Sequence, residues 1–432
     1  MPIDFHLGPT EAGIRTAAAG FAQGVLKPAR AEYVKYTEQH KRFQATQPAY
    51  AAAVQGGLLK GQVSPKFGGT AGSLIEAAIM VEECYSVEPS AALTIFASGL
   101  GLTPLNLAGD PEKHAEFVAP FLKQEGAPMA SLVFSEPGGV ANALEKGAPG
   151  FQTTARKEGD EWVINGEKLW ATNCAGWDFK GCDLACVVCR DVTEPDKHDP
   201  NSDPRDHVMI ILVTRADLDR CGPDAFQVLR HVSTPGHTSV SGPHVRYTNV
   251  RVPAKNVLCP PGQGAQVAFG SFDASAVLVG AMGVGLMRAA FDAALAFAKR
   301  DNRNGAVPLL ERQAFADLLS GIKMQTEACR ALTWKAAHAM EKGPGDYNAR
   351  RELALSAKIF CSDSAVKAVV DATNAVGITA YDLDQPFSEL LNNAMVLPIF
   401  DGGNVGIRRR HMQQLMLLPT YDAWAATYGT PE

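Results

Sequence analysis

The run from Ala274 to Met287 constrains this chain most. Its fourteen consecutive residues carry no charge, and Asp273 and Arg288 close it at either end. A membrane-crossing helix needs roughly 20 apolar residues, so a run this short is expected to be a helix buried on all sides. Such a helix requires other elements packed around it. The glycines at Gly280, Gly283 and Gly285 lie inside the run rather than after a strand. They are read as sites of close helix packing, not as a dinucleotide fingerprint.

Periodicity around that helix changes twice along the chain. Residues 1–128 have apolar positions at helical spacing, in Ile14 to Leu26 and again in Leu74 to Leu102. Residues 129–258 turn β-like, with short strands expected at Trp162-Val163-Ile164, Leu184 to Val188, Val208 to Val213 and Val245 to Val252. Asn165-Gly166 is the favoured pair for a two-residue hairpin turn and is expected to make one. Thr193 to His207, rich in Asp and Pro, reads as a polar surface loop. Residues 259–432 are helical again, led by the Ala-rich run near Phe272. A chain of 432 residues is long for one core, and these three regions are taken as its domains.

Composition narrows the function. The chain is 46% apolar and 20% charged, with a net charge of −6, so it has no basic stripe for nucleic acid, and small-molecule chemistry is expected. Nine cysteines and no signal-like N-terminus point to reduced thiols in the cytoplasm, with no membrane anchor. Cys186-Val187-Val188-Cys189 is formally a CxxC motif, but within an apolar β-branched run it is expected to be a buried strand. The ten histidines form no HxH or HExxH grouping, and no metal is expected.

Three tracts carry chemistry. Phe400-Asp401-Gly402-Gly403-Asn404 places one carboxylate at a glycine-rich turn, and Arg408 follows seven residues later as a permanent cation able to reach back. That pattern suits a positioned general base, although a helix-capping turn uses the same residue types. At the expected pKa of roughly 3.9, Asp401 needs no special shift to accept a proton at neutral pH. The second tract is Leu132-Val133-Phe134-Ser135-Glu136-Pro137 with Val140-Ala141-Asn142. The third is Lys168-Leu169-Trp170-Ala171-Thr172-Asn173, where an indole beside a hydroxyl suits the edge of a flat aromatic cofactor.

In this order, and with Val250-Arg251-Val252-Pro253 between the second pair and the last, the tracts resemble the acyl-CoA dehydrogenase superfamily over nearly the whole chain. Members typically show a Thr-Glu-Pro motif, Lys-x-Trp-Ile-Thr-Asn, a strand ending Val-x-Val-Pro, and Tyr-Glu-Gly-Thr bearing the catalytic glutamate. Asp401 stands where that glutamate would be, and Asp-Gly-Gly-Asn-x-Gly-x-Arg-Arg-Arg is similar to the branch that oxidises nitroalkanes. The resemblance implies a mainly α, α+β fold: an N-terminal helical domain, a central β-barrel and a C-terminal four-helix bundle. It implies FAD, with the flavin ring against Leu132 to Ser135, Val140 to Asn142 and Trp170 to Thr172, and with Phe400, Gly402 and Gly403 also among the cofactor-binding residues. Arg303 and Gln313 would meet its pyrophosphate and adenine, usually from a neighbouring subunit of a homotetramer, with Thr373 and Asn374 on the adenine side. Here the family's Arg-x-x-Phe-Gly is replaced by Arg303-Asn304-Gly305, and Gln313 follows at ten residues rather than eleven.

The implied reaction has Asp401 taking the α-proton of a neutral nitroalkane, with Arg408 and Ser275 orienting the carboxylate. Nitrite leaves, an aldehyde or ketone is released, and O2 reoxidises the flavin to give peroxide. An acyl-CoA dehydrogenase or oxidase with an aspartate base, or a non-catalytic flavin-binding protein on the same fold, would share most of these residues.

Overall fold

A computed structural model describes residues 6–194 and 202–429. Seven helices come first: α1 (Pro9–Phe21), α2 (Lys27–Tyr33), α3 (Gln39–Ala45), α4 (Gln47–Gln55), α5 (Leu74–Tyr85), α6 (Pro89–Ala108) and α7 (Pro111–Leu122). Several begin at side-chain caps. Ser73 Oγ accepts from Glu76 N to start α5, and the Glu88 carboxylate accepts from the backbone of Ser90 and Ala91 to start α6. The helical stretch expected over Leu74 to Leu102 is therefore two helices, broken where Glu88-Pro89 opens the second.

Eight strands follow: β1 (Ala130–Val133), β2 (Thr154–Glu158), β3 (Glu161–Lys168), β4 (Leu184–Asp191), β5 (Val208–Thr214), β6 (Phe226–Arg230), β7 (His244–Pro253) and β8 (Val257–Cys259), with α8 (Arg215–Cys221) between β5 and β6. They form one mixed sheet of order β6-β7-β3-β2-β4-β5-β8, with β1 joining parallel to β4. The barrel implied by the resemblance is not closed. β4 pairs β1 along Leu184 to Val187 and β2 only at Arg190 and Asp191, and the outermost strands β6 and β8 do not meet. Helices pack against the sheet, α6 against β1 and α9 (Gly264–Ala298) against β5.

The Asn165-Gly166 hairpin turn is also corrected. The β2–β3 turn is Gly159-Asp160, with Glu158 opposite Glu161, and Gly166 lies within β3 at a bulge facing β7. Gly166 is required for another reason: a Cβ there would lie 2.5 Å from Thr153 Cα. The Cys186–Cys189 segment is a buried length of β4, where burial pushes the Cys189 thiol up to about 12. Of the Thr193 to His207 loop, residues 195–201 lie outside the described residues, and Pro204–His207 forms a 3-10 turn.

The C-terminal region packs α9, α10 (Gln313–Lys342) and α11 (Tyr347–Val376) side by side, with the shorter α12 (Phe387–Met395) as a fourth helix. α13 (Arg409–Met416) and α14 (Ala425–Tyr428) finish the chain. The uncharged run sits inside α9, and its glycines do mediate close packing. A Cβ at Gly280 would meet Thr333 Oγ1 at 2.7 Å, at Gly283 the Cys361 carbonyl at 2.9 Å, and at Gly285 the Glu82 carbonyl at 2.8 Å. By length and composition α6 and α9 could each cross a membrane, but the apolar windows of both are mostly buried within the fold.

Candidate active site

Asp401 ends a turn between α12 and α13 and adopts a left-handed backbone, φ 54°, a region that Asp and Asn tolerate better than other side chains. The strain is held by Arg408. Its Nη2 and Nε donate to the Asp401 carbonyl at 2.7 and 3.0 Å, and Nη2 also reaches the Phe272 carbonyl at 2.9 Å and Asp401 Oδ2 at 3.2 Å. Ser275, on the face of α9 turned toward this loop, donates from Oγ to Asp401 Oδ1 at 2.6 Å. One helix and one turn thus deliver Asp401, Arg408 and Ser275 to a single point, as the sequence motifs anticipated.

Burial pushes the Asp401 carboxyl above the ordinary carboxylate range, while Arg408, Ser275 and Lys358 pull it the other way. Asp401 needed no shift to serve as a base, and a dry site makes it a stronger base than a solvated aspartate. Behind it runs a chain of buried charge that motifs did not reveal. Arg408 Nη1 donates to Asp273 Oδ1 at 3.3 Å, Asp273 Oδ2 accepts from Arg351 Nε at 2.6 Å and from Tyr347 OH at 3.1 Å, and Arg351 Nη2 contacts His411 Nδ1 at 3.1 Å. Burial and the surrounding arginines hold His411 down to about 3, so it is neutral across the physiological range. A cavity of about 830 Å³ opens beside this chain, lined in part by Phe134, Val140, Ala141, Asp273, Arg351 and His411.

The two flavin-ring tracts are joined to one another. Leu169 N donates to the Ser135 carbonyl at 3.0 Å, and Ser131 Oγ donates to the Thr172 carbonyl at 2.7 Å. Phe134 reaches Phe272 of α9 with ring centroids 5.1 Å apart, which ties these tracts to the Ser275 helix. Leu132 and Val133 are core side chains of β1, so only their backbone can face a ligand. Asn142 Oδ1 accepts from Arg410 Nη1 at 2.7 Å. Trp170 has φ 71° and is 54% exposed, while among the described residues the buried Asn173 Oδ1 of this tract has no hydrogen-bond partner. An uncovered aromatic face beside an unsatisfied polar atom fits a planar, hydrogen-bonding ring such as a flavin.

Beneath these tracts is an ion pair that pattern reading missed. Lys168 Nζ is fully buried, 3.1 Å from Glu136 Oε1, and donates to the Phe134 and Val188 carbonyls at 2.9 and 2.7 Å. Glu136 also accepts from Gln152 N and Thr153 N. The signal was available: the Glu of the second tract and the Lys of the third are each other's partner.

Arg303, Gln313, Thr373 and Asn374 are not brought to this point. Arg303 donates to Thr379 Oγ1 at 2.9 Å and to the Val376 carbonyl, beyond the far end of α9. Ser275 and Ala298 are 23 residues apart on that helix, roughly 35 Å at 1.5 Å per residue.

Comparison with known proteins agrees with this geometry. The model for the acyl-CoA dehydrogenase N-terminal domain matches residues 8–125, and that for the C-terminal domain matches residues 262–417. The chain is 77% identical over 431 residues to a nitroalkane oxidase of Podospora anserina, covering 100% of both chains. The chain belongs to the acyl-CoA dehydrogenase family, in its nitroalkane oxidase branch. A nitroalkane oxidase of Fusarium oxysporum is 48% identical over 430 residues, covering 99% of this chain and 98% of that one. The solved structure of the Podospora anserina nitroalkane oxidase superposes with a TM-score of 0.97 at 76% identity, covering 99% of this chain and 100% of the other. A nitroalkane oxidase in which an active-site aspartate is replaced by asparagine, crystallised with 1-nitrooctane, matches with a TM-score of 0.96 at 47% identity over the same shares. FAD is the cofactor of this family.

Proposed function

We propose that the protein uses FAD to oxidise neutral nitroalkanes to aldehydes or ketones, consuming O2 and water and releasing nitrite and hydrogen peroxide. The observation that carries this reading is the enclosed Asp401 carboxylate, held by Ser275 at 2.6 Å and by Arg408 at 3.2 Å in a chain of the nitroalkane oxidase branch. The α-carbon of a nitroalkane is far more acidic than that of a thioester. It suits a shorter carboxylate whose basicity is raised by burial.

Bound FAD supplies the two-electron acceptor. The protein's own residues manage the proton. Asp401 takes it at a carboxylate oxygen, Ser275 fixes the other oxygen, and Arg408 holds the turn and balances the negative charge.

We also infer a homotetramer in which FAD is shared between subunits. The ring-side tracts and the Arg303 tract lie at opposite ends of α9, farther apart than one dinucleotide reaches. Ile378, Tyr381 and Leu383 are more than 80% exposed beside Thr379, the partner of Arg303, which suits burial against another copy. All nine cysteines are free thiols, in keeping with a reducing compartment such as the cytoplasm. The deciding experiment is anaerobic flavin absorbance. Nitroethane is expected to bleach the flavin and butyryl-CoA to leave it oxidised, and the reverse pattern would assign an acyl-CoA dehydrogenase.

A further inference from the structure

Asn404, three residues beyond Asp401, gathers a second buried network. Its Nδ2 donates to Ser362 Oγ and to Asp363 Oδ1, both at 2.9 Å, and its Oδ1 accepts from Lys358 Nζ at 2.7 Å. Lys358 lies on α11 with no exposed surface, and among the described residues its ammonium forms neither another hydrogen bond nor a close ion pair. A buried ammonium with a single neutral acceptor is costly unless a nearby negative charge compensates it.

The charged groups around it are few. Asp401 and Arg408 face it from the turn, and Asp363 faces it from α11. Asp363 is paired with Arg409 at 2.8 Å toward solvent, and Asp273 already draws on Arg408 and Arg351. Asp401, though it also pairs with Arg408 at 3.2 Å, is the buried carboxylate whose charge favours the Lys358 ammonium most.

We propose that Lys358 is a positioning residue for the base: its ammonium, anchored on Asn404, fixes the turn from Asp401 to Asn404 and is the second positive charge that keeps Asp401 ionised in a dry site. This rests on the reading of Asp401 as the base. Burial pushes Lys358 down to about 7 while Asp401 pulls it up, so its ammonium is charged at acidic pH.

The test is the pH dependence of kcat/KM for neutral nitroethane in FAD-loaded Lys358→Met and Lys358→Gln, the second of which retains a donor for Asn404. Removing one unit charge near the base is expected to move the acid limb of the profile upward by about one pH unit. At pH 8, kcat/KM for preformed ethyl nitronate should stay within about threefold of the parent protein, because the base is not used. Lys358→Arg, which keeps the charge, should keep the parent limb. An unmoved acid limb, or equal loss with nitroethane and nitronate, overturns the proposal. Failure of both neutral variants to hold FAD also overturns it, by assigning Lys358 to the fold rather than to the base. Normal turnover of nitroethane by Asp401→Asn would instead remove the underlying base reading.

Discussion

Replacing Asp401 by Asn isolates proton removal from everything else this site does. The left-handed backbone at φ 54° is one that Asn adopts readily, so the turn should survive. The hydrogen bonds can survive too. Asn Oδ1 can accept from Arg408 where Asp401 Oδ2 now does at 3.2 Å, and its amide can donate to Ser275 Oγ. Ser275 can then turn its single proton to the Phe272 carbonyl, 3.2 Å away. What is lost is the proton acceptor, together with its negative charge. General-base catalysis contributes ~100- to 10,000-fold, or ~2.7–5.5 kcal/mol of barrier, and kcat/KM for neutral nitroethane should fall by at least that range. Preformed nitronate has already lost its proton and should reduce the flavin at close to the parent rate. Stopped-flow flavin reduction with the two substrates is the assay. Equal losses would mean that Asp401 positions substrate or cofactor, and the base assignment would be wrong.

The same variant should be more stable than the parent at pH 8. Because the folded-state pKa of Asp401 is raised, the unfolded chain releases that proton first, and the stability penalty grows as pH climbs from about 4 through the folded value. Urea titrations should show the advantage of Asp401→Asn shrinking toward pH 4.5, and an advantage independent of pH would contradict the burial argument. Ser275→Ala removes a hydrogen bond to an ionised group, worth ~1.5–3 kcal/mol, and should lower kcat/KM roughly ten- to a hundredfold while raising the acid limb; an unchanged limb would show that the 2.6 Å contact does not tune the base. Glu136→Ala strands the Lys168 ammonium and should cost ~3–5 kcal/mol in thermal unfolding, and a melting shift under about 2 °C would deny that the pair holds the flavin-ring tracts.

Local pattern made much of this protein legible. The uncharged run foretold a buried helix because its composition leaves no polar face, and the order of helical and strand periodicities followed the observed elements. Asp401, Arg408 and Ser275 could be singled out because short motifs carry them and a family resemblance aligned them. Where expectation and structure part, the cause is a contact distant in sequence. Asn165-Gly166 has the local chemistry of a hairpin turn, yet it lies inside β3 at a bulge facing β7, with Thr153 close against Gly166. The strands are sound, but whether their sheet closes depends on β6 and β8 meeting, which no local pattern records.

The site divides in the same way. Sequence alone determined which residue types stand at the turn, and so that a carboxylate, a guanidinium and a hydroxyl were available. Tertiary structure decided what they are worth. It buried Asp401, which raises its basicity, and gathered Asp273 from α9 and Arg351 and Lys358 from α11 near it. It also placed Arg303 far from the flavin-ring tracts. A motif records neighbours along the chain, but desolvation and Coulomb interaction depend on distance in space, and only the packing of α9 and α11 against the Asp401 turn set those distances.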